Sequence, residues 1–412
     1  CVCTHATDIN INKLSADDFK ALDNIISERV EDGTTPAVAL AIFQRDTPLL
    51  NAAWGSLAPD EHTQATQTST LFDLASLTKL YTTIAFLSLV SEEKLYLHTP
   101  VVNVIPEFGK INPRPMGGGQ DPHSKELFPV NEDFAGQSVD VALVNCFHLL
   151  THTSGLPAWR DVYTVADAPV EPPADDPLTQ SERWSKAIER LVSYDFIAPP
   201  EHAVIYSDIG LMLLGEIVRR THDENGTLED AIKARVLGDR FPNTLFNPLR
   251  KGFTQEQIAP TEQDTTWRQR RVHGEVHDEN AHGVGGIAGH AGLFSTAMEV
   301  ALLGNIWLNH SERMLRIDPE LAGASVELQA QTGADRRGLG WMLKSAENSS
   351  AGDYLSASSY GHTGFTGTSL WIDPDNKLSI ALLTNRVYNG REHIGIHALR
   401  RAVHDAIGKA LT

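Results

Sequence analysis

Apolar residues recur along this chain with two different periods. Ser15 and Asp18 read as a capping box. Phe19, Leu22, Ile25, Ile26 and Val30 then fall at helical spacing, and Gly33 ends the run. Beyond Pro36 the period drops to two. Val38, Leu40 and Ile42 alternate as in a strand, and "TPLLNAAWG" supplies a hairpin partner. The segment 76–91 predicts a buried helix. Far downstream, "GLGWMLK" at 338–344 predicts a strand. "TGTSLWID" and "KLSIALLTN" flank "PDN", a turn in which Pro pre-sets φ and Asn tolerates the left-handed region. Ile396, Leu399, Val403 and Ile407 predict a last amphipathic helix.

Strand patterns therefore sit towards both ends, and helical patterns fill the middle. The expected fold is α+β: one antiparallel sheet from residues 1–95 and 325–412, flanked by N- and C-terminal helices, with a mostly helical domain, 96–324, inserted. Two stretches rich in Gly, Pro and acid, at 111–138 and 160–180, predict long surface loops where substrate specificity would lie.

Composition adds exclusions. The 412 residues are 41% hydrophobic and 21% charged, ordinary values for a soluble globular chain. A formal net charge of -19 argues against nucleic acid and against a polybasic membrane contact. No apolar run reaches the roughly 18 to 20 residues of a spanning helix. Three cysteines, Cys1, Cys3 and Cys146, do not make a disulfide framework. Cys1 is a candidate lipid-anchored residue. Nothing in the pattern specifies an oligomeric state.

Serine hydroxyls are weak nucleophiles near neutral pH and need an adjacent base and oxyanion donors. The Gly-x-Ser-x-Gly elbow is absent. In "LFDLASLTKLYTT", Ser76 and Lys79 stand one helical turn apart in apolar surroundings. Ser91 and Lys94 in "SEEK" share that spacing but lie among Glu92 and Glu93 at a solvated helix end, so Ser76 is the expected nucleophile. Two later segments add partners: Tyr206-Ser207-Asp208 before an apolar helix, with Asp208 as a candidate N-cap, and His362-Thr363-Gly364 entering a strand.

In order, Ser-x-x-Lys, Tyr-Ser-Asp and His-Thr-Gly resemble the three motifs of the penicillin-recognising serine hydrolases: class C β-lactamases, low-molecular-weight DD-peptidases and related esterases. "HLLTHTSGLP" at 148–157 and "GGIAGHAGLFSTA" at 285–297 look like further signatures, and the resemblance spans roughly residues 15 to 410. It implies an acyl-enzyme on Ser76, with general acid–base duty shared by Lys79 and Tyr206. Each of these needs a lowered pKa or a proton relay. The backbone N–H groups of Ser76 and Phe365 would form the oxyanion hole. Thr363 would bond a substrate carboxylate or carbonyl, and Gly364 would let the strand approach the substrate. The site would lie in the cleft between the two domains. A small-molecule or peptide substrate, no cofactor and an extracytoplasmic location follow from the same resemblance.

Two positions depart from the pattern. Asp208 stands where Asn is common and offers only acceptors when ionised. It could hold Lys79 more firmly charged or receive a substrate N–H. His362 stands where β-lactamases commonly have Lys and carries less charge at neutral pH. That tilts the expectation towards DD-peptidase or esterase with weak β-lactamase activity. It also predicts that carboxylate substrates bind better near pH 6. Two alternatives are open: a catalytically silent binding protein of this fold, and a metallohydrolase built on His273, His277, Asp278, His282 and His290. No strong metal-ligand spacing supports the latter.

Overall fold

The computed structural model describes residues 5–9, 14–60, 62–122, 124–164, 180–392 and 394–411. Cys1, Cys3 and most of the 160–180 loop lie outside them. A ten-stranded sheet organises the molecule. Its order is His5–Ile9, Thr47–Ala58, Ala37–Gln44, Leu378–Thr384, Ser369–Asp373, Tyr360–Thr363, Met342–Leu343, Asp335–Arg337 and Ala330–Thr332, with His62–Ala65 paired on Thr47–Ala58. Every ladder is antiparallel. The two ends of the chain meet at the centre, where Leu40 pairs with Leu382 and Ala39 with Leu383. This is the α+β architecture expected.

Alternation along Ala37–Gln44 divides the core into two layers. Val38, Leu40 and Ile42 pack with Leu22 and Ile26 of the Ala16–Glu31 helix and with Leu399, Val403 and Ile407 of the Ile396–Leu411 helix. Ala37, Ala39 and Ala41 face the opposite core, which contains the Thr78–Ser91 and Ala297–Leu315 helices. Small residues allow close approach there: a side chain at Gly304 would meet Ser379 Oγ at 2.2 Å. The Ser15–Asp18 capping box forms as read, with Asp18 N donating to Ser15 Oγ at 3.1 Å.

Three local readings need correction. Only Met342–Leu343 of the expected 338–344 strand pairs as one. Gly340 turns at φ +75, against Thr83, where a side chain would stand 2.1 Å from Oγ1. In the 374–377 turn the left-handed residue is Lys377, at φ 56, while Asn376 bonds Asp373 through its backbone and side-chain N–H groups. The middle of the chain also carries short strands. Phe72–Asp73 and Leu245–Phe246 flank Leu293–Ser295 in a small sheet under Ser76.

Candidate active site

Ser76 lies on a single 3-10 turn, Ala75–Leu77, that leads into the Thr78–Ser91 helix. Ala75 adopts φ +46, a conformation that needs external support. The buried Asp73 carboxylate gives it, accepting from Ala75 N at 2.8 Å and His277 N at 2.6 Å. Thr366 and Thr368 fasten the same turn to the sheet, donating to Asp73 O at 2.7 Å and Leu74 O at 2.9 Å. Gly364 is required for that approach. A side chain there would stand 2.6 Å from Leu74 O, so this glycine makes room for the turn that carries Ser76.

Lys79 is 1% exposed, and its Nζ donates to Ser76 Oγ at 2.8 Å and His290 O at 3.1 Å. Its third neighbour is Asp208, with Oδ1 at 2.7 Å. Burial disfavours the ammonium, but Asp208 and then Tyr206 outweigh it, so the Lys79 pKa lies above its ordinary value. Tyr206 stands over Lys79 with its ring centroid 4.9 Å from Nζ. Burial raises the Tyr206 pKa, and Lys79 opposes only part of that rise. Neither residue has the lowered pKa that a free-standing base requires.

Asp208 begins the Asp208–His222 helix, but the cap is Ser207, whose Oγ accepts from Gly210 N at 3.0 Å. That frees the Asp208 carboxylate for Lys79. The Tyr206 segment is held by the 148–157 loop. Ser207 N donates to His152 Nδ1 at 3.0 Å, and the His152 and Tyr206 rings lie 4.6 Å apart. Burial, reinforced by Arg337 and Lys79, holds the His152 pKa well below 6.5, so it braces Tyr206 as a neutral ring.

His362 corrects one expectation. It is 1% exposed, with Nδ1 donating to Thr363 O at 2.8 Å. Burial, then Arg337 and Lys79, depresses its pKa well below 6.5. It stays neutral at pH 6 and cannot supply the expected gain in carboxylate binding. The positive charge comes from arginines instead. A 370 Å³ cavity beside Ser76 is lined by Tyr206, Thr363 and Phe365 together with Arg337, Arg386 and Arg400. Arg386 Nε donates to Phe365 O at 2.8 Å. Arg400 Nη2 donates to Gly364 O at 2.8 Å and Thr368 O at 2.6 Å, which fixes the strand end carrying Phe365. Neither these arginines nor Asp73 carries a local sequence signal, and His152 is marked only by its place in the 148–157 segment.

The other readings separate cleanly. Ser91 Oγ accepts from Asp318 N at 2.9 Å, and Lys94 meets Glu92 at 3.0 Å in a solvated surface pair. The 273–290 histidines disperse. His273 bonds backbone carbonyls, His277 faces Glu262, His282 faces Glu275, and His290 pairs with Asp278 at 2.8 Å. Among the described residues, no three His, Cys, Asp or Glu side chains converge as a metal site.

This fold around a Ser-Lys-Tyr cluster defines a class, the serine hydrolases of β-lactamase fold. The chain belongs to the Beta-lactamase family, whose model matches residues 22–405. It is 31% identical over 399 residues to the N-acetylmuramyl-L-alanine amidase of Bacillus subtilis, across 91% of this chain and 82% of that one. It is also 31% identical to a putative D-alanyl-D-alanine carboxypeptidase of Escherichia coli K12, across 89% of this chain and 82% of that one. The solved structure of EstCE1, a hydrolase with promiscuous acyltransferase activity, shares the fold at TM-score 0.65 and 18% identity, covering 95% of this chain and 98% of that one.

Proposed function

We propose that the protein hydrolyses D-amino-acid peptide or lactam bonds, and activated esters more loosely, through an acyl-enzyme on Ser76. The observation that carries this reading is the single contact set of Ser76 Oγ, Lys79 Nζ and Asp208. Lys79 donates to Ser76 Oγ and remains an ammonium, so the serine proton leaves through the Tyr206 hydroxyl. As the Oγ–acyl bond forms and the leaving-group bond breaks, Tyr206 takes the serine proton and passes its own to the leaving amine or alkoxide. In deacylation a water gives its proton to Tyr206, which returns one to Ser76 Oγ. Lys79 stays charged throughout and stabilises the developing anion. The Ser76 and Phe365 N–H groups are the proposed oxyanion donors. Arg386 and Arg400 support them by gripping the Gly364–Thr368 backbone.

The relatives' names support bonds of the bacterial cell wall, and with them action outside the cytoplasm. Among the described residues no helix is long and apolar enough to cross a membrane. The test is intact mass after incubation with a panel of β-lactams, activated esters and a D-alanyl-D-alanine peptide. A covalent adduct on wild type, absent from Ser76→Ala and kept by Ser91→Ala, is expected. An adduct that persists in Ser76→Ala would sink the reading.

A further inference from the structure

Lys79 is held from one side by Asp208 and from another by a segment to which the acyl transfer assigns no role. That segment, residues 277–293, begins and ends on the turn of Ser76. At its start, His277 N donates to Asp73, the carboxylate that supports Ala75. At its end it lies along the Thr78–Ser91 helix. Thr82 Oγ1 donates to Gly289 O at 2.8 Å, Lys79 Nζ to His290 O at 3.1 Å, and Leu293 N to Thr78 Oγ1 at 3.2 Å. Leu74 N then donates to Leu293 O at 2.9 Å. Between these ends the chain loops through Gly285 and Gly286, at φ 89 and 84.

One side-chain pair joins the start of this arc to the residue whose carbonyl faces Lys79. His290 Nε2 donates to Asp278 Oδ1 at 2.8 Å. The same oxygen accepts from Ala281 N at 2.7 Å and so caps the Glu279–Gly283 helix. The His290 side chain is 1% exposed, and its Nδ1 is buried with no hydrogen-bond partner. The ring is therefore hydrogen-bonded through Nε2 alone, and Asp278 decides how it sits. A lysine ammonium on four rotatable carbons has no direction of its own. Here its contacts are Ser76 Oγ, His290 O and Asp208, so the last two aim it at the first.

We infer that Asp278 and His290 are positioning residues for Lys79. Their pair fixes the His290 carbonyl, and that carbonyl keeps Nζ directed at Ser76 Oγ. The inference rests on the acyl-enzyme reading above and extends the working site to two residues that touch neither Ser76 nor the substrate.

The test reads the second-order rate at which a neutral fluorophosphonate labels Ser76, with kcat and KM for p-nitrophenyl butyrate beside it. His290→Ala keeps the carbonyl and loses the ring. Labelling should slow by roughly 10²-fold, the cost of an ångström's misplacement, with kcat falling and KM little changed. His290→Gln puts an amide N–H within reach of Asp278 and should recover most of that rate. Asp278→Ser keeps a helix cap but is too short for His290, and should lose about as much as His290→Ala. It also leaves the buried ring in place, so it carries the test if His290→Ala does not fold. The double variant should be no slower than the slower single one, because one brace is broken either way. Labelling within a few-fold of wild type in Asp278→Ser overturns the inference. So do losses that multiply in the double variant, an equal loss in His290→Ala and His290→Gln, or a raised KM with kcat unchanged. A wild type that takes no label overturns the acyl-enzyme reading and the inference with it.

Discussion

The Asp208 carboxylate lies 2.7 Å from Lys79 Nζ, the lysine side chain 1% and the aspartate 20% exposed, so solvent weakens the pair less than it would at the surface. Asp208→Asn keeps the shape and removes the charge. Burial then opposes the ammonium without its strongest counterweight, and the Lys79 pKa falls. The alkaline limb of the kcat/KM profile should move to lower pH. A limb that does not move would show that the pair does not set the protonation of Lys79.

Tyr206→Phe retains the ring that packs on His152 and removes only the hydroxyl. Turnover should fall by roughly 10² to 10⁴, the scale of general acid–base help. The acyl-enzyme should accumulate, visible as a stoichiometric mass adduct. Turnover within a few-fold of wild type would place the relay elsewhere.

Acid stability should be governed first by buried histidines. Burial depresses His152 and His362 well below 6.5 and brings His404 to about 4. Unfolded, each titrates near 6.5. Stability is therefore complete above that pH. It falls as pH drops, because the unfolded chain binds protons that the folded one refuses. For His404 the loss levels off near pH 4. Each such histidine contributes about 1.4 kcal/mol per pH unit inside its window. In His404→Asn the amide can replace the Nδ1–H donation to Ser350 O. Urea midpoints between pH 6.5 and 5 should decline less steeply in this variant, by about one proton's slope. Parallel declines would count against it.

Dialysis against a strong chelator should leave hydrolysis intact, because Ser76 supplies the nucleophile. Activity lost on chelation and restored by zinc would favour a role for the 273–290 histidines.

The legible parts of this molecule were those written in local sequence. The Ser15–Asp18 box, the alternation at 37–44 and the amphipathic 396–411 helix each carry a short-range signal. The convergence of Ser76, Lys79 and Tyr206 is legible because their motifs are compact. The place of Arg337 beside Tyr206 is not: it depends on Asp335 taking two of its donors and on burial that arginine usually avoids. The charge of His362 is illegible for the same reason: burial, not residue identity, decides it. The 338–344 segment looks like a strand by composition, yet Gly340 is turned by its fit against Thr83, which no local pattern encodes.

The pairing of Leu40 with Leu382 also sets an order of events. The hairpin of Ala37–Gln44 and Thr47–Ala58 leaves the ribosome early, but its inner edge finds its neighbour only when Leu378–Thr384 has been made. Contacts this distant in sequence close slowly, and an unpaired edge strand invites the wrong partner in the meantime. Thr366 and Thr368, which brace the turn under Ser76, arrive in the same late segment. A nascent chain therefore carries Ser76 without the support that holds its turn in place until the Thr366–Thr368 segment has been made.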